Sequence, residues 1–266
     1  MIRVLPLLGQ IFMRLKNNMK TNNLPNLWAV VLAAGRGSRM NATSKNKVAY
    51  EVNGVPMITR TISVLKNAGI ENIVVVVGFA KESVLALLGE DIHTAEQKEQ
   101  LGTGDAVRAA LSTIPENAHH ILVLNGDDSF LFSTDLFEEL CQLHIRNDNA
   151  ITFLSLDMPD PTGLGRVVRD EQGKVMKIVE EKDASETVKK ITEINAACYI
   201  FNAKFLRESM PNLPKSSVTG EYYIVSLVDF ASKKNAKIDV LHVKNYAWRG
   251  VNTVKELEEA EQLVDN

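Results

Sequence analysis

The chain has 266 residues, 45% apolar and 24% charged, with a formal net charge of −3. That length and apolar content can bury one large α/β core, with or without a small subdomain, and the balanced charge excludes a general nucleic-acid-binding or polybasic membrane surface. No apolar run approaches the roughly 18 residues of a membrane span, and two distant cysteines in apolar surroundings, Cys141 and Cys198, exclude a disulfide framework and place the protein in a reducing compartment, the cytoplasm.

Residues 1–27 carry Arg3, Arg14, Lys16 and Lys20 and no acid, the charge pattern of a targeting peptide. Pro6, Gly9 and Gln10 interrupt the apolar segment and no small-residue cleavage site follows. The segment is therefore expected to be a disordered leader, an extension upstream of a start at Met13 or Met19, with the folded domain over 28–266.

From Leu27 onward, strand-length apolar runs alternate with helical periodicities. "LWAVVLA" reads as a buried strand, and "PMITRTISVLKNAG" as a helix with Pro56 in its first turn and Gly69 ending it. "NIVVVVG" is a second buried strand, β-branched as central parallel strands tend to be. "KESVLALLG" and "TGDAVRAALSTI" read as helices, "HILVLNGDD" as a third buried strand ending in acids. "STDLFEELCQLHIRND" is a helix capped by Ser133 or Thr134, with Leu136, Leu140 and Leu143 on its core face.

"AITFLSL" is another strand. "GRVVRDEQGKVMKIVEEKD" then alternates on both sides of Glu171-Gln172-Gly173, a hairpin expected to form a lid over the strand C-termini. "EINAACYIF" and "KIDVLHV" read as strands, "GEYYIVSLVDFASKKN" and "NTVKELEEAEQLV" as helices. This alternation predicts an α/β fold: a Rossmann-like open, mainly parallel twisted sheet with helices on both faces.

The first strand runs into "AAGRGSRM", where Gly35 and Gly37 occupy the position at which α/β folds bind phosphates. The dinucleotide fingerprint fails because Met40 replaces its third glycine, and the Walker pattern fails as well. A bare G-x-G is more often a tight turn. Arg39 immediately after it, with Lys47 eight residues on, supplies cations that could neutralise a triphosphate cradled by glycine amides. Arg36 and Lys45 read as solvated loop residues.

"LAAGRGSRM" with "NKVAYEVNGVPM" resembles the signature of nucleotidyltransferases that join a nucleoside triphosphate to a sugar 1-phosphate. "QKEQLGTGDAV", "LNGDD", "PTGLGRVVRD", "GKVMKIVEEKDA", "EINAACYIF", "TGEYYI" and "GVNTVKELEEAE" follow in an order similar to that of the uridyltransferase domains of bacterial bifunctional N-acetylglucosamine-1-phosphate uridyltransferase / glucosamine-1-phosphate acetyltransferases. The resemblance covers about Trp28 to Val264. It departs at Asn46, where the family has proline before the lysine, and at Arg36 and Ser38, where the family has lysine and threonine. The acetylating β-helix domain has no counterpart in these 266 residues.

The resemblance implies a nucleotide-diphospho-sugar transferase-like fold and Mg²⁺-dependent transfer of UMP from UTP to a sugar 1-phosphate, releasing pyrophosphate. N-acetylglucosamine 1-phosphate is the expected acceptor. Rival readings are another sugar or base, such as glucose 1-phosphate or dTTP, and a non-catalytic sugar-nucleotide-binding subunit. Phosphoryl-type transfer needs positioning and charge neutralisation rather than a covalent nucleophile. Arg39 and Lys47 are the implied catalytic cations. Leu32, Ala33, Ala34, Gly35, Gly37, Ser38, Gln97, Gly102 and Thr103 are assigned to the nucleotide, Gln97 as the reader of the base. Asn125, Gly126, Gly165, Glu180 and Asn195 are assigned to the sugar. Asp127 and Asn252 are implied as Mg²⁺ ligands, whereas Asp128, pointing the other way from its neighbour, is expected to act behind them. The expected partners are UTP and a sugar 1-phosphate alone, with no nucleic acid and no membrane, in a monomer or dimer rather than the family's trimer.

Overall fold

The computed structural model describes residues 26–37 and 44–264; the expectations placed on residues 1–25, on Ser38 and on Arg39 lie outside the described residues. Strands in chain order are β1 (Leu27–Ala33), β2 (Glu51–Val52), β3 (Val55–Pro56), β4 (Asn72–Val77), β5 (His93–Glu96), β6 (His120–Asn125), β7 (Ile151–Asp157), β8 (Gly165–Arg169), β9 (Val175–Val179), β10 (Glu193–Asn202) and β11 (Ile238–Val243). Helices are α1 (Met57–Asn67), α2 (Glu82–Leu85), α3 (Thr103–Leu111), α4 (Thr134–Arg146), α5 (Glu186–Lys189), α6 (Ala203–Ser209), α7 (Ser226–Lys233) and α8 (Val254–Val264).

The main sheet has the order β11-β7-β10-β6-β1-β4-β5, with β8 also paired to β10 and β9 to β8. β1 lies parallel to β4 and β6, β4 parallel to β5, and β7 parallel to β11; β10 alone in this row runs antiparallel to its neighbours. Alternation along the central strands divides the core between the two faces. Ala29, Val31, Val75, Leu122 and Leu124 pack against α1 and α4 through Ile58, Leu65, Phe137 and Leu140. Val30, Val74, Val76, Ile121 and Val123 pack with Ala106, Val107, Leu206 and Val228 of α3, α6 and α7. The expected architecture of a mainly parallel sheet covered on both faces is the one observed, and both cysteines are free and buried. Among the described residues no helix is long and apolar enough to cross a membrane.

Several local expectations are corrected. Pro56 ends β3 and is the N-cap of α1 rather than a residue of its first turn. The segment 220–225 is not helical; α7 begins only at Ser226 because Tyr222 is pulled out to bond with Leu101 and Gly104. The β8–β9 hairpin turns where expected, with Gly173 at φ +81°, and is anchored to the main sheet. Its first strand pairs with β10 at Gly165 and Arg166, and Val167, Val175 and Ile178 enter the core beside α7. It is a wall.

Parallel strands bring their C-terminal ends to one edge, so Ala33 and Asn125, the last residues of β1 and β6, border the same cleft. Antiparallel β10 enters from that edge, which places Asn195 there too. Just beyond, β10 carries a register shift between Asn195 and Tyr199, and Ala197 sits at φ +50° within it. A non-glycine residue in the left-handed region is strained, and such strain gathers at sites where a chain must be re-aimed.

Candidate active site

The cleft has two adjoining compartments. One, of about 430 Å³, is lined by Leu32 through Gly37, Asn46, Lys47, Gln97, Gly102, Thr103 and Glu221. The other, of about 200 Å³, is lined by Gly165, Glu180, Asn195, Ala197, Tyr199, Tyr223, Trp248 and Gly250. Leu32, Thr103, Asn125, Asp127 and Asn252 border both. Apart from Leu32, Thr103 and Asn125, which border both, the described residues assigned from sequence to nucleotide and to sugar line separate neighbouring chambers, with the implied metal ligands at the junction. Gly126 is the exception. It borders neither chamber and is buried where a Cβ would meet Val48 and Ile58 side chains at 3.1 and 3.3 Å.

Lys47 and Asn252 are brought together from opposite ends of the domain by a small third core. Val52 of β2 and Met57, the first residue of α1, shortly after Lys47, pack with Val251 and with Ala260 of α8. Thr253 and Glu256 cap α8, with Glu256 N donating to Thr253 Oγ1 at 3.2 Å, and the Glu256 carboxylate accepts from Asn252 N at 2.8 Å. The Asn252 side chain is thereby held where its Oδ1 accepts from Lys47 Nζ at 3.0 Å, while Lys47 also forms an ion pair with Asp127. Two hard oxygen donors converge on one cationic position. That donor set suits Mg²⁺, which favours a carboxylate, further oxygens and retained waters; the thiols, the soft ligands that would argue otherwise, are buried in the core.

Asp128 is 5% exposed and borders the smaller chamber, accepting from Asn125 Nδ2 and Ser129 Oγ at 3.1 Å each. Burial, and then the neighbouring charge of Asp127, push its carboxyl well above the usual range.

Asn46 stands where the resembled family has proline. Buried to 1%, it ties the loop together: Nδ2 donates to Ala33, Gly35 and Phe79 carbonyls at 2.9, 3.2 and 2.8 Å, and Oδ1 accepts from Val48 N. Gly37 follows at φ +58°, with a Cβ there only 3.1 Å from Lys47 Cβ. A side chain at Gly37 would strain the backbone and displace the lysine. Arg36 lies over the Phe79 ring and Lys45 over Tyr50, at 5.2 and 5.3 Å, aromatic packing that occupies both cations.

Gly102, at φ +105°, is pressed against Tyr222, whose carbonyl oxygen would be 2.5 Å from a Cβ. This contact lets the turn at 219–224 cross the start of α3, where Gly104 N donates to Tyr222 O and Thr103 Oγ1 accepts from Ile224 N. Sequence reasoning missed Ala197 and Tyr199, just beyond Asn195 on β10, and Trp248, which enters the smaller chamber from the segment after β11. Asn195 is ordered by two of these neighbours, donating to Tyr199 OH and accepting from Ala197 N.

A family model for nucleotidyl transferases matches residues 28–266. The chain belongs to the nucleotidyl transferase family. This nucleotidyl transferase is 38% identical over 238 residues to the bifunctional protein GlmU of Caldanaerobacter subterraneus subsp. tengcongensis, an overlap of 90% of this chain and 51% of the relative. To the protein of the same name from Clostridioides difficile it is 38% identical over 240 residues, covering 90% and 52%. It therefore spans about half the length of the curated relatives it matches. A solved Bacillus anthracis structure, described as a glucose-1-phosphate thymidylyltransferase in complex with a sucrose, superposes with a TM-score of 0.74 at 20% identity, covering 90% of this chain and 96% of that one. That likeness is one of fold.

One electrostatic feature of the smaller chamber is directly measurable. Burial, reinforced by the like charges of Asp183 and Glu221, pushes the Glu180 carboxyl up to about 7 from an ordinary 4.5. The folded protein then holds a proton that the unfolded chain has released, so stability falls as pH rises from about 4.5 to 7. Glu180→Gln is expected to lose that decline: urea midpoints of variant and wild type should converge near pH 4 and separate above pH 7, with the variant the more stable. Parallel curves at all pH values would contradict the assignment.

Proposed function

We propose that this nucleotidyl transferase transfers UMP from UTP to a sugar 1-phosphate, most favourably N-acetylglucosamine 1-phosphate, giving the UDP-sugar and pyrophosphate. The observation that carries this reading is the meeting of the two chambers at Asp127 and Asn252. A nucleoside triphosphate in the larger and a sugar 1-phosphate in the smaller would put a phosphate oxygen of the sugar beside the α-phosphorus. A new bond forms from that oxygen to the α-phosphorus, the bond from the α-phosphorus to the bridging oxygen breaks, and pyrophosphate departs with the electron pair.

The chain's contribution is position and charge. Gly35 and Gly37 leave the backbone open to phosphate oxygens. Lys47, held between Asp127 and Asn252, can turn its ammonium to the triphosphate. Magnesium, held by Asp127 and Asn252, would neutralise phosphate charge at the junction. Gln97 faces the base, and thymine presents it with the same N3–H as uracil, so dTTP is the competing donor.

The sugar assignment rests on Asn195 and Glu180 in one small chamber. A site built to pair with a polar substituent discriminates against analogues that leave its own groups unpaired. N-acetylglucosamine 1-phosphate is expected to exceed glucose 1-phosphate by at least about tenfold in kcat/KM, roughly 1.4 kcal/mol. Asn195→Ala should narrow the gap with less effect on UTP. Pyrophosphate release across a matrix of UTP and dTTP against both sugar 1-phosphates measures this; equal use of the two sugars would remove the acetamido assignment.

A further inference from the structure

Gln97 is 5% exposed, and its amide is tied at one end. Nε2 donates to the Gly102 carbonyl at 2.9 Å and to Asp105 Oδ2 at 3.0 Å. A carbonyl and a carboxylate are both acceptors, so only the NH₂ end of the amide can face them. With both protons committed, the remaining hydrogen-bonding capacity of Gln97 is the acceptor Oε1.

Asp105 does not line the cleft. It sits in the first turn of α3, and its other oxygen, Oδ1, is 3.4 Å from Arg108 Nη1. Arg108 in turn lies over the Tyr222 ring at 4.7 Å, half exposed and away from Gln97.

We propose that Asp105 is a positioning residue that locks Gln97 as a pure acceptor and thereby sets which pyrimidine the donor nucleotide carries. The inference rests on the reading above that a uridine nucleotide occupies the larger chamber. Where that acceptor meets N3 of the base, uracil offers its N3–H, whereas cytosine offers a lone pair and is repelled. An unlocked amide could turn over and serve either base. The charge on Asp105 makes this lock stronger than one built from neutral acceptors alone.

The test is Asp105→Asn, which keeps the shape but lets residue 105 donate as well as accept. The preference for UTP over CTP, as a ratio of kcat/KM at saturating sugar 1-phosphate, is expected to fall at least about tenfold. Turnover with UTP at saturation should stay within about threefold of wild type, because Asp105 touches neither phosphate nor the metal ligands. Arg108→Ala, which leaves the carboxylate in place, should keep the ratio. In the nucleotide-free protein, the Gln97 side-chain amide protons should exchange slowly with solvent in the wild type and faster in Asp105→Asn. An unchanged base ratio in an Asp105→Asn protein with wild-type melting temperature overturns the lock. A wild type that itself shows no preference for UTP overturns the base assignment of the proposed function instead, and slow exchange of the Gln97 amide would then still stand as a separate result.

Discussion

Asp127→Asn is expected to lower turnover roughly 10²-fold or more, the loss typical of removing one preorganised electrostatic group. Asp127 is the carboxylate at the chamber junction, paired with Lys47 and next to Asn252, so the substitution removes the negative charge that organises that position. The fold should survive, since asparagine matches the shape and Asp127 closes no core contact. Asp128→Asn should cost far less. Its oxygens are engaged by Asn125 and Ser129, and burial already favours its neutral form, which asparagine mimics. Steady-state kinetics on both variants, with melting curves as control, decide the matter. A larger loss at Asp128 would reverse the roles of the two acids.

The second large effect belongs to Asn46. Asn46→Ala strands the Ala33 and Phe79 carbonyls, to which Nδ2 donates at 2.9 and 2.8 Å, inside a region the side chain itself fills. Each orphaned buried acceptor costs about 1–3 kcal/mol, so a loss of about 3 kcal/mol is expected, a drop in Tm on the order of 5–10 °C. UTP affinity should fall with it, because the same bonds set the approach of the glycine loop to Lys47. Chemical denaturation and nucleotide titration measure the two consequences. A variant of wild-type stability would show that the loop is held by packing instead.

The parallel sheet was readable because β1, β4 and β6 are continuous apolar runs and α1 and α4 carry helical stripes. β5, "HTAE", was not, being four mostly polar residues on an edge strand with no burial pattern to betray it. The hairpin β2–β3 is two residues a side, below the length at which alternation is visible. Helix α7 is shorter than its sequence pattern suggests because Tyr222 of "GEYYI" bonds with Leu101 and Gly104, more than a hundred positions away. In the site, Asp127 is legible because it follows the apolar strand β6, whereas Gln97 is legible only through the family resemblance, the strand before it leaving no pattern. The residues that order them are not. Asn46 looked like a weakened proline, Trp248 and Tyr199 bear no local mark, and the Asp105–Gln97 bond exists only once α3 folds back on its own loop.

The central claim is a phosphorus–oxygen exchange at the chamber junction, and ³¹P NMR observes it without a coupled assay. Purified protein incubated with UTP, N-acetylglucosamine 1-phosphate and Mg²⁺ should convert the UTP signals into those of a nucleoside diphosphate sugar and pyrophosphate in equal amounts, and removal of the sugar phosphate should stop both. UTP that binds but persists unchanged beside each of the sugar 1-phosphates, or that yields UMP with no sugar diphosphate, would contradict the account.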